Sequence, residues 1–121
     1  MRTRVIAVIL LCVGLTFPLI SGAEDKDDDQ EFQEALADLG SSAGNAMQCV
    51  GEDKAKTSTI ASQADLIGGG LLKDSGSQSA FRFMVYFGIG IAESIDKAKC
   101  ADYIADWNKF TAQYPGLPQL K

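Results

Sequence analysis

The fold class of this chain depends on residues 80–95, which read Ala-Phe-Arg-Phe-Met-Val-Tyr-Phe-Gly-Ile-Gly-Ile-Ala-Glu-Ser-Ile. Read as a helix, the segment places four large apolar side chains on one line, at Phe83, Phe87, Ile91 and Ile95. Read as a strand, it places apolar residues at every odd-numbered position from 81 to 91. A strand needs partners, and the only other stretch that favours β structure is the short run at 57–60. The sequence therefore predicts an all-α fold, with an α+β fold that has a strand at about 81–91 as the alternative.

The segment before this stretch predicts a first amphipathic helix at roughly 29–50. Its apolar residues recur at steps of three and four, at Phe32, Leu36, Leu39, Ala43, Ala46, Met47 and Val50. Small residues at 40–44 weaken the middle of this helix. Either the helix breaks there, or the small residues form a surface that lets a neighbouring element approach closely.

Two further helices complete a predicted bundle of about four. A second helix is expected at 53–67, with the three glycines at 68–70 as its stop and residues 71–79 as a polar linker. A last helix has apolar residues at helical spacing, at Cys100, Tyr103, Ile104, Trp107, Phe110, Thr111 and Tyr114. Pro115 and Gly116 end it, and residues 115–121 are expected to form an extended tail.

The N-terminal residues have the anatomy of a secretory signal peptide. Arg2 and Arg4 precede an apolar run at 5–20, and small residues suited to cleavage follow at 21–23. The apolar run of about 16 residues is shorter than the roughly 20 that a spanning helix needs, so cleavage is favoured over retention as an anchor. We therefore expect residues 1–23 to be removed, residues 24–30 to form an acidic disordered tail, and residues 31–114 to form one helical domain.

Two cysteines, Cys49 and Cys100, would survive this cleavage. In the periplasm or the secretory route, an even count predicts one intramolecular disulfide, which would join the first helix to the last. Closing a loop of about 51 residues should stabilise the fold by about 4 kcal/mol. The chain has no Cys-x-x-Cys pair of the kind that redox proteins use, so the bond is expected to be structural.

The composition argues against catalysis. The chain has no histidine, which removes the commonest general base and the usual nucleophile pairs. Carboxylates such as Asp102 and Asp106 are expected to lie on a solvated helix face rather than to form an acid/base couple. The acidic run at 25–36 lacks the glycine and the glutamate that a calcium loop requires at its sixth and twelfth positions. We therefore expect no enzyme activity, no metal site and no cofactor.

Binding to another protein is the expected function. The formal net charge of −5 becomes −7 once Arg2 and Arg4 are removed, and a negative surface repels nucleic acid and anionic lipid. No membrane span is expected after cleavage. The partner would be another protein or a second copy of this chain. Six residues are candidates for partner binding or for the core: Phe83, Phe87, Ile91, Trp107, Phe110 and Tyr114.

In overall layout the chain resembles acid-stress chaperones of the HdeA kind. The shared features are a cleaved signal, a short acidic helical domain and one disulfide spanning about fifty residues. The resemblance implies a periplasmic protein that opens when its carboxylates are protonated and exposes the surface at 83–95 to unfolding proteins.

Locally, Gly90-Ile91-Ala92-Glu93-Ser94-Ile95 before Cys100 is similar to a stretch in periplasmic immunity proteins of the Rap/Tai kind. Those proteins neutralise a peptidoglycan-cutting toxin by binding it. The chain lacks the upstream cysteine of that family and reads Phe-Gly-Ile at 87–89, where the family has Gly-Tyr-Ile. Toxin neutralisation is thus an alternative function, and a structural role in a cell-envelope assembly is another. No functional residue is carried over from either family.

Overall fold

The structure is a computed structural model that describes residues 26–121. Four helices and one short 3-10 turn follow each other along these residues: α1 Lys26–Val50, α2 Lys54–Ser75, α3 Ser77–Ala92, the 3-10 turn Lys97–Lys99 and α4 Cys100–Thr111. The described part of the chain contains no strand. The all-α prediction is therefore confirmed, and the alternative of a strand at about 81–91 is wrong. The predicted signal peptide at residues 1–23 lies outside the described residues.

Helix α1 begins earlier than the sequence suggested. It starts at Lys26 instead of near residue 29, so it includes residues 26–30, which had been assigned to a disordered tail. Asp29 lies in the first turn, where negative charge interacts favourably with the helix dipole. The Nε2 of the next residue, Gln30, donates a hydrogen bond of 3.4 Å to Glu34.

Helix α2 continues through the three glycines at 68–70, and the predicted stop and linker are wrong. Glycine costs about 1 kcal/mol relative to alanine within a helix. The apolar face outweighs this cost, because Ile67 and Leu71 on either side of the glycines are both fully buried. The helix ends instead at Ser75, because the next residue, Gly76, has a φ of 96° that few other residues tolerate. This single residue joins α2 to α3.

Helices α1 and α3 approach each other so closely that their glycines leave no room for side chains. A Cβ atom on Gly40 would lie 2.5 Å from the carbonyl oxygen of Phe83. A Cβ atom on Gly44 would overlap the carbonyl oxygen of Phe87. One on Gly90 would lie 2.5 Å from the carbonyl oxygen of Ser41. The residues at 40–44 therefore form a close-packing surface within an unbroken helix, the second of the two predicted alternatives.

The core lies between all four helices. It contains Leu36, Leu39, Ala43 and Ala46 of α1, Ile60, Ala64, Ile67 and Leu71 of α2, Phe83 of α3, and Trp107 and Phe110 of α4. A short polar chain crosses this core. The Nε1 of Trp107 donates to the Oε1 of Gln63 at 2.7 Å, and the Nε2 of Gln63 donates to the carbonyl oxygen of Pro118 at 2.6 Å. Both side chains are fully buried, so these bonds satisfy groups that have no access to water.

The C-terminal residues fold back onto the helices instead of forming an extended tail. A turn is closed where the amide of Leu117 donates to the carbonyl oxygen of Tyr114 at 2.9 Å. Leu117 is buried in the core, and Leu120 packs against it. The Nε2 of Gln119 donates to the carbonyl oxygen of Thr111 at 3.0 Å. Apolar contacts and side-chain hydrogen bonds thus hold a segment that has no regular structure of its own.

The predicted disulfide is present. Cys49 and Cys100 are bonded, with their Cα atoms 5.2 Å apart. Cys49 lies one residue before the end of α1, and Cys100 is the first residue of α4. The bond therefore joins the first helix to the last.

Replacing Cys49 with serine should lower the melting temperature of the oxidised protein. The entropy of the unfolded chain rises when the loop is opened, and a cost of about 2–4 kcal/mol is expected. Thermal unfolding followed by circular dichroism measures the shift, and the reduced wild-type protein is the control because it should melt near the variant. Identical melting curves for the oxidised wild type and the variant would contradict this account of the disulfide.

Replacing Gly40 with alanine should destabilise the protein, because the added Cβ meets backbone atoms that cannot move aside without separating α1 from α3. We expect a loss of about 1–3 kcal/mol in the free energy of unfolding. Gly69→Ala is the matched control, since its Cβ would meet nothing within 4 Å. This control should gain up to about 1 kcal/mol from helix propensity. Denaturant titration compares them, and equal effects at both positions would contradict the close-packing role of Gly40.

Candidate functional site

Helix α3 is apolar on the side that faces solvent as well as on the side that faces the core. Its inward side includes Phe83, which is fully buried, and Gly90. Its outward side carries exposed large apolar residues, with exposed fractions of 71% for Phe81, 41% for Met84, 40% for Val85, 44% for Ile89 and 42% for Ile91. We call Phe81, Met84, Val85, Gly88 and Ile89 the outward face of α3.

The outward face carries no charged side chain. The single charged residue of α3 is Arg82, which is directed towards α1. Its Nε donates a hydrogen bond of 3.0 Å to the carbonyl oxygen of Gln33, and its guanidinium lies 5.3 Å from the centroid of the Tyr86 ring. These contacts hold the positive charge beside α1. The outward face can therefore bind apolar groups without having to desolvate a charge.

Phe81 and Gly88 give the outward face a knob and a notch. Phe81 is the most exposed large apolar side chain in the part of the chain that the structure describes. Gly88 lies seven residues further along, about 10 Å away at the rise of an α-helix. A Cβ atom on Gly88 would meet nothing within 4 Å, so the surface there is open. The outward face therefore has one projecting side chain, at Phe81, and one open position, at Gly88.

Contacts from α1 and α2 hold α3 in place behind this face. The Nε2 of Gln48 donates to the carbonyl oxygens of Gly90 and Glu93, at 2.6 Å and 2.8 Å, and so satisfies acceptors at the C-terminal end of α3. On the α2 side, a Cβ atom on Gly68 would lie 3.4 Å from the Sδ of Met84, so the Met84 side chain lies over Gly68. Leu72 follows Gly68 by one turn and is 56% exposed, so it extends the apolar surface onto α2. The outward face therefore belongs to a helix that is fixed from two sides.

The chemistry available to the described residues is limited. None of the described His, Cys, Asp and Glu residues form a group of three or more that could hold a metal ion. Within residues 26–121, no helix is both long enough and apolar enough to cross a membrane.

What the outward face offers a partner is apolar contact area. If a fully exposed large apolar side chain presents about 200 Å², the four exposed apolar side chains of the outward face present on the order of 400 Å².

The six candidates proposed from the sequence lie in different environments. Phe83, Trp107 and Phe110 are core residues, and Phe87 and Tyr114 pack against the core while partly exposed. The rings of Trp107 and Phe110 are stacked, with centroids 5.5 Å apart. Ile91 is the most exposed of the six, with an exposed fraction of 42%.

The sequence interpretation missed the residues of the outward face. Phe81 was considered only as part of a possible strand, and Val85 and Ile89 only as part of that strand and of the surface at 83–95 that one resemblance implies. Their spacing of four residues was nevertheless a signal, because it places them on one stripe of a helix, on the side opposite the stripe of Phe83 and Phe87. A helix with apolar stripes on opposite sides needs cover on both sides, and a partner can supply the cover that its own domain does not.

Replacing Phe81 with serine should leave the stability of dilute protein unchanged to within about 0.5 kcal/mol, because most of this side chain already contacts water. The same change should reduce the fluorescence of a dye that binds apolar surfaces. Phe83→Ala, two residues away, should lower the free energy of unfolding by about 3–5 kcal/mol. Denaturant unfolding and dye titration test both variants. A large loss of stability in Phe81→Ser would show that the two sides of α3 have been assigned wrongly.

No protein-family model, curated protein or solved structure matches this chain. The resemblances to acid-stress chaperones and to immunity proteins therefore stay predictions.

Proposed function

We propose that this protein is a non-catalytic protein-binding domain of the periplasm or the secreted space, and that it binds partners through the outward face of α3. The observation that carries the proposal is Phe81, which is 71% exposed on an uncharged helix face of a folded domain. Contiguous apolar patches of several hundred Å² mark interaction sites when they occur on folded proteins. The disulfide and the signal-like N-terminus support an oxidising compartment.

The partners that suit this face best are proteins that are partly unfolded. Such proteins expose apolar side chains in no fixed arrangement, and an uncharged apolar face binds them without needing matched hydrogen bonds. Met84 belongs to this face, and the flexible, polarisable side chain of methionine adapts to partners of different shape. The acidic residues elsewhere on the chain give complexes a net negative charge that opposes aggregation. The proposed activity is therefore chaperone-like protection.

This proposal differs in one respect from what the resemblance to acid-stress chaperones implies. That resemblance requires the domain to open before its apolar surface at 83–95 can bind. The outward face of α3 is already exposed in the folded domain. Binding through this face therefore needs no prior unfolding, and protection is expected at neutral pH.

A second candidate function is the neutralisation of one dedicated protein, as in immunity proteins. The knob at Phe81 and the notch at Gly88 favour this function, because their fixed positions suit a partner of fixed shape. The two functions differ in a measurable way. A chaperone protects unrelated proteins with weak affinity, whereas a neutralising protein forms one tight, saturable complex.

Light scattering of citrate synthase during thermal unfolding at pH 7 tests the chaperone-like function. The wild-type protein should suppress the scattering, and a Phe81→Ser/Ile89→Ser double variant should lose at least half of this effect. Leu66→Ser is the matched control, because Leu66 is 51% exposed but lies on the side of α2 away from Gly68. Loss of protection that is equal in the control and in the double variant would contradict binding through the outward face. Failure of the wild type to protect this enzyme and a second, unrelated client would contradict chaperone-like activity itself.

A further inference from the structure

We infer that the outward face of α3 is self-complementary, and that it binds the same face of a second copy of this chain. In this dimer the two α3 helices pack antiparallel about a twofold axis that passes between Met84 and Val85. The inference rests on the proposed function, because both assign binding to the outward face. It goes further by naming a partner and the register in which that partner packs.

The charge distribution leaves α3 as the helix suited to self-association. A twofold axis brings each residue near the axis close to its own copy, so charged residues there face like charges. Helix α1 presents exposed acids at Asp29, Glu31, Glu34 and Asp38. In a chain with a net charge of −5, two such surfaces repel each other. The outward face of α3 has no charge to oppose its copy.

In this register, the knob and the notch of the outward face fit the notch and the knob of the second copy. With the axis between Met84 and Val85, residue 81 of each copy lies opposite residue 88 of the other, and residue 84 lies opposite residue 85. The exposed ring of Phe81 would therefore enter the open space at Gly88 of the partner copy, twice in each dimer. At the ends of the helix, Ser77 lies opposite Ala92, and both are small enough for close approach.

The available area fits a reversible dimer. About 400 Å² from the outward face of each copy gives a total near 800 Å², which is the size of a weak, transient interface. Leu72 lies beside the outward face and can add to this area. A dimer of this size dissociates on dilution, which leaves the face free for other partners.

Sedimentation equilibrium of the purified, disulfide-bonded protein tests the inference. The wild type should change from the mass of two chains to the mass of one as it is diluted. Gly88→Leu adds apolar surface at an exposed position where a Cβ atom meets nothing within 4 Å, but it fills the notch that Phe81 of the second copy needs. We expect this variant to raise the dissociation constant at least tenfold. Gly69→Leu, at an exposed α2 glycine with equally open surroundings, should leave it unchanged.

A rescue variant distinguishes dimerisation in the proposed register from nonspecific association of apolar surfaces. Phe81→Ala alone removes the knob and should weaken the dimer at least tenfold. Phe81→Ala/Gly88→Phe exchanges the knob and the notch, so the same twofold arrangement is restored and the dissociation constant should return to within about threefold of the wild type. Circular dichroism of each variant shows that the helices remain folded.

The outcomes separate the inference from the proposed function. A wild type that is monomeric at every concentration, or a Gly88→Leu variant that dimerises as tightly as the wild type or more tightly, overturns the dimer described here. The proposed function stands in that case if Phe81→Ser/Ile89→Ser still loses client protection. A dimer that Gly88→Leu disrupts and the rescue variant restores supports the inference, even if no client is protected and the proposed function fails.

Discussion

Helices α1 and α3 meet backbone to backbone, and this contact decides which side of α3 faces solvent. Both sides of α3 are apolar, so burial of apolar surface alone does not select one of them. Gly40 and Gly44 leave α1 without side chains where α3 crosses it, and Gly90 does the same on α3. In the close approach that the structure shows, Gly90 faces α1. Phe83 is then directed into the core, and Phe81 is left in water.

Helices α2 and α4 cover the rest of the inward side of α3. Helix α3 runs back along α2 after the one-residue turn at Gly76. Helix α2 continues through its own glycines because Leu71 is buried. Helix α4 is tied at its start by the disulfide to Cys49 and further along by the hydrogen bond from Trp107 to Gln63. These contacts cover the inward side of α3 and leave its outward face exposed. The binding function is proposed because this apolar face is exposed.

The sequence predicted those features that depend on local periodicity and on cysteine count. It predicted the end of α1, the last helix, the disulfide and a helix at 80–95, of which residues 93–95 lie beyond the end of α3. It did not predict that α2 passes through residues 68–70, because the burial of Leu71 depends on helices that are distant in sequence. The outward face was missed for a related reason. A helix with two apolar stripes gives no polar side from which to read its orientation, and only the glycine contacts with α1 settle it.

Hydroxyl-radical footprinting of dilute, disulfide-bonded protein tests the central claim most directly, because it reports the solvent access of individual side chains. The claim is that the glycine contacts place Phe83 inside and Phe81 outside. We predict that Phe81 and Met84 are oxidised several times faster than Phe83, after correction for the intrinsic reactivity of each residue type, while the protein remains helical. Oxidation of Phe83 at the same rate as Phe81 or faster would contradict the claim, because α3 would then present its other side to solvent.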